Sequence, residues 1–231
     1  MDFNKVAFLP EAEQYHETAA HLVSGYASLY EIAGCYLSLN IPDNANILIV
    51  GAGGGMEIKT LAKFSPTWQM TGVDPSSKML EAAKFWVKHA NVTNQVKLIE
   101  GLISDVSNET LFDAVTCILV MHFLDEAKKI QLLQDIYTKL KPNGILVLAD
   151  MSISKNTEEF DIFFNLYCQH AKFKGESEEK LQQLLDALNT SAFPISGEKE
   201  AELITKAGFT KPIMFFSSLW FKAWFASKVV S

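Results

Sequence analysis

Three alternating glycines, Gly51, Gly53 and Gly55, follow the apolar run Ile47–Val50 in the stretch ILIVGAGGGMEI. Such a turn between a strand and a helix leaves bare backbone against which a ligand can lie, with N–H groups and the positive end of the helix dipole available. The same pattern also occurs in tight connections that bind nothing. The glycines therefore indicate either a binding turn or a structural one.

Asp74 favours the binding turn. It ends the next apolar run and stands 23 positions beyond Gly51, near the spacing of roughly 20 residues at which an acidic side chain meets ribose hydroxyls. It could also cap the helix that begins around Ser76. The sixth position of the turn is Met56 instead of the last glycine of the dinucleotide pattern GxGxxG, which suits a ligand without a pyrophosphate. The turn and the acid together predict a nucleoside site.

His122 is the candidate catalytic residue. It follows the apolar run Ala114–Val120, and open α/β sheets bind ligands beyond the carboxyl ends of their strands. An imidazole there could accept the proton of an amine, an alcohol or an acidic carbon. The alternative is a half-exposed loop histidine that bonds to backbone. His16 and His21 stand five apart with no cysteine or carboxylate cluster to complete a site, so we expect no metal.

Composition narrows the classes of partner. The 20 Lys and Arg residues against 27 Asp and Glu give a formal charge of -7, so we expect neither nucleic acid nor an anionic membrane as partner. The N-terminus lacks the pattern of a signal peptide, and no apolar stretch reaches the roughly 18 residues of a membrane span, which predicts a cytoplasmic protein. Cys35, Cys117 and Cys168 are scattered, and we expect reduced, buried thiols.

The elements that must position these residues alternate along the chain. The apolar runs are Ile47–Val50, Trp68–Val73, Val96–Ile99, Ala114–Val120 and Ile145–Ala149, and the helical patterns are Met56–Phe64, Lys78–His89, Glu126–Leu140 and Glu198–Lys206. This alternation predicts an α/β fold with a parallel sheet and crossover helices. The stretch Phe215–Ala226 is expected as a terminal strand pair, with aromatic residues for a core or a dimer surface instead of an RNA-stacking face.

Four segments in fixed order resemble the motifs of class I S-adenosylmethionine-dependent methyltransferases: GAGGG, VDPSSKMLEAA, FDAVTCILVMHFL and LKPNGILVLAD. They cover about residues 45 to 150. Three further segments, HLVSGYASLYEIAG, FFNLYCQHAKFKG and ELITKAGF, are similar to parts of the carboxy-S-adenosylmethionine synthases. The resemblance implies a Rossmann-like, mostly parallel seven-stranded sheet with helices on both faces, S-adenosyl-L-methionine as cofactor, and a homodimer.

One domain is expected over residues 1–231. It comprises an N-terminal helical cap (1–40), a cofactor-binding core (41–151), a helical insertion or cap (152–196), and a C-terminal helix with strands (197–231). The resemblance implies that Gly51, Ala52 and Gly53 contact the amino-acid part of the cofactor, Asp74 and Pro75 the ribose, Tyr26 a polar end, and Met79 and the Ile103 backbone the adenine. Gly55, Leu102, Ile118 and Leu119 complete the expected cofactor site.

Four positions depart from the family pattern, and each lacks a polar group found in relatives: Ile49, Leu102, Ile118 and Leu203. Asp105 is near enough in sequence to compensate for Leu102. Leu203 aligns with the arginine that the synthases use for the extra carboxylate, and a buried carboxylate without a charged partner is costly. We therefore expect methyl transfer from ordinary S-adenosylmethionine to a small molecule. The alternatives are a divergent carboxy-S-adenosylmethionine synthase and a binding protein without turnover.

Overall fold

The computed structural model describes residues 12–229. The strands of this part are β1 Asn46–Val50, β2 Gln69–Asp74, β3 Val96–Glu100, β4 Phe112–Ile118, β5 Leu140–Met151, β6 Ile213–Ser218 and β7 Phe221–Ser227. Its α-helices are α1 Ala12–Leu22, α2 Tyr26–Asn40, α3 Met56–Leu61, α4 Ser77–His89, α5 Glu126–Lys139, α6 Glu158–Phe173, α7 Glu178–Ser191 and α8 Gly197–Lys206. None of these helices has the length and apolar character needed to cross a bilayer.

The strands form one sheet in the order β3-β2-β1-β4-β5-β7-β6. Strands β1 to β5 pair in parallel, whereas β7 is antiparallel to both of its neighbours. The expected mostly parallel sheet of seven strands is therefore confirmed. The chain proceeds from β1 outward to β2 and β3, and β4 then returns to the other side of β1. The strand order thus reverses between β1 and β4, which is where open α/β sheets bind ligands.

Two hydrophobic cores lie on the two faces of the sheet, because successive residues of a strand point to opposite faces. Ile47 and Ile49 of β1 belong to the core beneath α2, α3 and α4. Leu48 and Val50 belong to the core beneath α5 and α8. The apolar stripe predicted for Glu126–Leu140 packs in this second core. The helices therefore cover both faces, as expected.

Strand β4 lies two residues earlier than predicted, at Phe112–Ile118 instead of Ala114–Val120. It ends at Ile118 and not at Val120, because Leu119 has a backbone φ of 60°. That value lies in the left-handed region, which a strand residue does not adopt. The chain consequently turns two residues early, and both Leu119 and Val120 reach the cavity at the carboxyl edge of the sheet.

Strand β5 begins earlier than predicted, at Leu140 instead of Ile145. Leu140 pairs with Phe112 of β4, and the register between the strands shifts before Ala114. A bulge of this kind accommodates extra residues within a ladder. Asn143 has a φ of 62°, the positive value that its Asn-Gly pair tolerates. The segment 141–144, between the predicted helix and the predicted strand, is therefore part of an irregular strand.

The prediction that all three cysteines are buried is wrong for two of them. Cys117 in β4 is buried, Cys168 in α6 is half-buried and Cys35 in α2 is exposed. Cys35 shares the outer face of α2 with Ile32 and Leu39, both exposed, since the inner face of this helix packs on the sheet. The aromatic residues of the terminal strand pair behave as core residues. Trp220, Phe221 and Phe225 are all buried.

Candidate active site

A cavity of about 380 Å3 lies at the carboxyl ends of β1, β2 and β4. Its walls come from the glycine turn after β1, the end of β2, the turns after β3 and β4, the start of α2 and one face of α5. The volume falls in the range of roughly 300 to 1,000 Å3 that small-molecule sites occupy. The cavity therefore lies where the strand order predicts a ligand site.

The glycine turn exposes its backbone at positions where no residue with a side chain would fit. Gly51 and Gly55 have φ values of 78° and 71°, which favour glycine. A Cβ added at Gly51 would lie 2.2 Å from the Val120 side chain, and one at Gly55 would lie 2.9 Å from the backbone of Ala83. Both glycines line the cavity. The turn thus presents its peptide groups to whatever occupies the cavity.

Asp74 connects the glycine turn to the start of α4. The Gly53 N–H donates to Asp74 Oδ2 at 3.0 Å, and the Ser76 N–H donates to Oδ1 at 2.8 Å. Burial raises the pKa of Asp74, and these two backbone hydrogen bonds oppose that rise. The side-chain cap of α4 is Ser76, which accepts from the Met79 N–H. Asp74 therefore serves the turn and the helix start together, and it also lines the cavity.

Most of the residues predicted for the cofactor line the cavity: Tyr26, Gly51, Gly55, Asp74, Pro75, Met79, Leu102, Ile103, Ile118 and Leu119. Ala52 and Gly53 do not belong to its wall, because the short helical turn Ala52–Gly54 directs them toward β2 and α4. A Cβ at Gly53 would lie 2.4 Å from the Met79 side chain. These two residues position the turn from behind.

Asp105 does not replace the acid missing at Leu102. Its Oδ2 accepts the Leu102 N–H at 2.7 Å and so closes its own turn. The Leu102 side chain is 56% exposed at the mouth of the cavity, and Asp105 does not line it. Ile103, the next residue, is buried and lines the cavity. This wall therefore carries apolar side chains at Leu102 and Ile103, next to the polar Ser104.

His122 follows β4 in the turn Met121–Phe123, but its ring does not line the cavity. Its Nδ1 is hydrogen-bonded to the Asp150 carboxylate at the end of β5. The neighbouring ring of Phe123, 4.1 Å away between centroids, lines the cavity instead. The Phe193 N–H donates to the His122 carbonyl oxygen at 2.6 Å. The interpretation of His122 as a loop histidine bonded to backbone therefore captures only part of its contacts.

A buried polar network lies behind His122, beneath α5 and α8. Lys129 donates its ammonium to the Met121 carbonyl oxygen. Glu200 accepts from the Ser152 hydroxyl at 2.5 Å and from the Trp224 indole N–H at 3.1 Å. Burial raises the pKa of Glu200 and lowers that of Lys129, and the Asp150 carboxylate opposes the fall at Lys129. This network fixes the turn after β4 from its inner side.

Leu203 lies in the same inner region and not at the cavity. Its side chain is 1% exposed and packs with Leu133 and Ile136 between α8 and α5. The sequence contains 20 lysines and no arginine. Among the cavity-lining residues of the described range, the cation is Lys128 on α5. No guanidinium is therefore available anywhere in the chain.

Sequence reasoning missed Glu57. This residue of α3 is 6% exposed and lines the cavity beside Gly54 and Gly55. Its Oε1 accepts from the Thr116 hydroxyl of β4 at 2.6 Å. Burial raises the pKa of Glu57 to about 8, and the neighbouring Asp74 adds to the rise. In the sequence, an acid after a glycine turn resembles an ordinary first-turn helix residue, so its burial was hidden.

The N-terminal helices contact the cavity region in two ways. His16 of α1 donates from Nε2 to the Gly54 carbonyl oxygen at 2.5 Å and stacks on Trp86 of α4 at 4.8 Å. Burial lowers the pKa of His16. Tyr26 and Tyr30 of α2 form part of the wall, and their rings meet edge-on at 5.1 Å. Of residues 152–196, expected to cap the cleft, none whose side chain the structure describes belongs to this wall.

One face of α5 also was missed. Lys128, Gln131, Leu132 and Asp135 line the cavity at helical spacing, and Leu132 also packs against the second core. Gln131 donates to the Asp135 carboxylate at 2.9 Å. The sequence signal was the polar stripe complementary to the predicted apolar one.

Across the described residues, no group of three histidines, cysteines or acids could hold a metal ion.

Residues 48–146 match the protein family described as a methyltransferase domain. The carboxy-S-adenosyl-L-methionine synthase of Actinobacillus pleuropneumoniae serotype 5b (strain L20) is 25% identical over 221 residues, which cover 94% of this chain and 90% of that protein. The synthase of Colwellia psychrerythraea is 26% identical over 218 residues, covering 94% and 89%.

Solved methyltransferases share the fold. Magnesium protoporphyrin IX methyltransferase from Synechocystis PCC 6803, solved with bound S-adenosylhomocysteine, superposes with a TM-score of 0.67 at 13% identity and covers 98% of this chain and 95% of that one. Human N-acetylserotonin methyltransferase, in complex with S-adenosylmethionine, has a TM-score of 0.59 at 17% identity and covers 94% of this chain. The present chain spans 58% of the length of the human structure.

Proposed function

Because residues 48–146 match a methyltransferase domain, we propose that the protein transfers the methyl group of S-adenosylmethionine to a small-molecule acceptor. The observation that carries the proposal is the bare glycine turn facing a cavity of small-molecule size, with Asp74 beside it. Bare backbone lets the amino-acid part of a ligand approach closely, and a buried acid suits sugar hydroxyls. The residues present therefore fit an adenosyl amino acid.

The cavity residues divide by chemistry. Gly51 and the rest of the turn would hold the amino-acid part, with Tyr26 at its polar end. Asp74 and Pro75 would hold the ribose, and Met79 with the Ile103 backbone the adenine. The apolar side chains of Ile118 and Leu119 keep water from the centre of the cavity. When bound, S-adenosylmethionine supplies an electrophilic methyl group on a sulfonium sulfur, so the protein has to align the acceptor with it.

His122 is the proposed proton acceptor. Because Asp150 holds its Nδ1, the ring is fixed in orientation and would take up a proton at Nε2. The neighbouring Phe123 lines the cavity, which places the histidine directly behind the wall. We expect His122→Ala to lower turnover by about 10²- to 10⁴-fold with cofactor binding retained. Unchanged turnover in this variant would remove His122 from the mechanism.

The experiment that tests methyl transfer uses purified protein, S-adenosylmethionine and a metabolite extract. Formation of S-adenosylhomocysteine that depends on the extract is the expected result, and mass spectrometry of the extract then identifies the methylated acceptor. Saturable binding without S-adenosylhomocysteine would instead support a binding protein without turnover.

A second candidate function is carboxy-S-adenosylmethionine synthesis, which the named relatives favour. The absence of arginine speaks against it, since neither this chain nor a second copy offers a guanidinium for the extra carboxylate. Measured dissociation constants for S-adenosylmethionine and its carboxylated form decide between the two. Tighter binding of the carboxylated form would favour the synthase.

A further inference from the structure

Two acidic side chains reach the end of the cavity beside the glycine turn. Asp74 arrives from β2 with both carboxylate oxygens accepting backbone N–H groups. Glu57 arrives from α3, and its recorded hydrogen bond is the one that Thr116 donates to Oε1. Glu57 is thus the acid at this end whose second oxygen is not taken by the turn.

Glu57 also lies where the family pattern has lost an acid. Position 49, which often carries an acidic residue in relatives, is Ile49, and it is directly paired with Thr116 in the sheet. Because Glu57 is hydrogen-bonded to Thr116, it brings a carboxyl group to this same strand pair from the helix side. A carboxyl group that β1 lacks at Ile49 is therefore supplied by α3.

We propose that Glu57 is the anionic partner of the α-ammonium group of S-adenosylmethionine. This inference rests on the proposed function. The amino-acid part of the cofactor carries a carboxylate and an ammonium, and the ammonium needs an acceptor. A buried carboxylate that borders the cavity meets that need with a charge-assisted hydrogen bond.

The surroundings of Glu57 favour a cationic ligand. Burial and the nearby Asp74 both disfavour its charged form, and the Thr116 hydrogen bond offsets them in part. The other titratable groups around it are Cys117 of β4, whose pKa burial raises, and Tyr26 and Tyr30 of α2. Lys59, on the same helix, holds its ammonium 3.7 Å from the centroid of the Trp86 ring.

A bound ammonium would stabilise the ionised form of Glu57. Since the pKa of Glu57 in the folded protein without ligand is about 8, the group is mostly protonated at pH 7. Binding of S-adenosylmethionine then releases about one proton at this pH, and its affinity rises with pH up to about 8. A ligand that lacks the ammonium releases none.

Isothermal titration calorimetry in buffers of different ionisation enthalpy measures this proton release. The probes are S-adenosylmethionine and 5′-methylthioadenosine, which keeps the adenosine and lacks the amino acid. The variants are Glu57→Gln, which preserves shape and the Thr116 contact, and Glu200→Gln, a matched control at a buried acid outside the cavity wall. We expect Glu57→Gln to bind S-adenosylmethionine about 10- to 100-fold more weakly, without proton release.

Binding of 5′-methylthioadenosine to Glu57→Gln should match that of the wild type, which also shows that the variant is folded. Two results would overturn the inference: proton release and affinity that survive in Glu57→Gln, or an equal loss of affinity for 5′-methylthioadenosine. Failure of the wild type to bind either compound would instead refute the proposed function itself. The Glu200→Gln control should behave as the wild type does.

Discussion

Two buried glutamates on opposite faces of the sheet offer an instructive comparison. Burial raises the pKa of both Glu57 and Glu200. Glu200 is enclosed beneath α8 with donors from Ser152 and Trp224, whereas Glu57 has the Thr116 donor and borders the cavity. Burial and a raised pKa therefore do not by themselves identify a functional acid. Access to a cavity is the property that distinguishes Glu57 from Glu200.

The surroundings of the two acids differ in the same sense. Around Glu200, the cation of Lys129 and the anion of Asp150 belong to one internal network. Around Glu57, the charge that acts on its pKa is the second acid, Asp74. A region that balances its charges internally is built for stability. The excess of acid around Glu57 is what the proposed contact with an ammonium group would offset.

The largest expected effect concerns stability against pH. The native pKa of Glu57 is raised to about 8, so the folded state holds a proton that the unfolded state loses near its ordinary pKa. This contribution to stability is present below the unfolded pKa and is lost as pH rises through the folded one. We expect Glu57→Gln to match the wild type at pH 4 and to exceed it by up to about 4 kcal/mol near pH 8.5.

Urea denaturation of both proteins across this pH range measures the difference. If Glu57→Gln were less stable than the wild type at every pH, the fold would depend on the Glu57 carboxyl group itself, and its interpretation as an acid kept for a ligand would fail.

A second expected effect concerns the backbone. Alanine at Gly55 would have to adopt a left-handed φ of 71°, and its Cβ would lie 2.9 Å from the Ala83 backbone. Rotation of a side chain relieves neither the backbone strain nor this contact. We expect Gly55→Ala to lower the free energy of unfolding by about 2 to 3 kcal/mol. Its affinity for S-adenosylmethionine should fall as well.

Gly197, at the start of α8, is the matched position in the other region. There a Cβ meets the flexible end of Lys222, which can move aside. Gly197→Ala should change the free energy of unfolding by less than about 0.5 kcal/mol. Equal losses in the two variants would mean that the glycine turn is no more constrained than an ordinary helix start.

The smallest expected effect concerns the donors to the two acids. Thr116→Val removes the hydroxyl that Glu57 accepts, and Ser152→Ala removes one of two donors to Glu200. We expect a loss of about 1 to 2 kcal/mol for Thr116→Val and less than about 1 kcal/mol for Ser152→Ala, which keeps the Trp224 donor. Thermal unfolding at pH 6 compares the pair. A larger loss in Ser152→Ala would reverse the assignment of the better-satisfied acid.

Local patterns predicted the sheet and the turn because strands, glycines and Asp74 each carry their signal within a few residues. The α/β fold class and the place of Asp74 beside the glycine turn follow from such signals, whereas the role of Met79 was implied by the family resemblance. The end of β4 did not follow, since the left-handed φ of Leu119 depends on the path to Met121 and not on the residue type. Burial of Glu57 did not follow either, because it needs α2 and the sheet in place.

Alignment to relatives misled where side-chain direction mattered. The argument from Leu203 assumed a position near the cofactor, yet its side chain packs between α8 and α5. The lack of arginine in the whole chain is the firmer form of that argument, because it does not depend on direction. His122 shows the same limit: the carboxyl end of β4 was predictable, and the partner that turns its ring toward Asp150 was not.

Trp86 of α4 has three groups close to its indole ring. The His16 ring is stacked on the indole, the Lys59 ammonium lies over it, and Gly55 of the turn faces it. An indole in contact with an imidazole and an ammonium loses emission intensity whenever these neighbours gain charge or come closer. The light emitted by this one ring should therefore follow any movement of the turn, so the protein contains its own optical probe without a label.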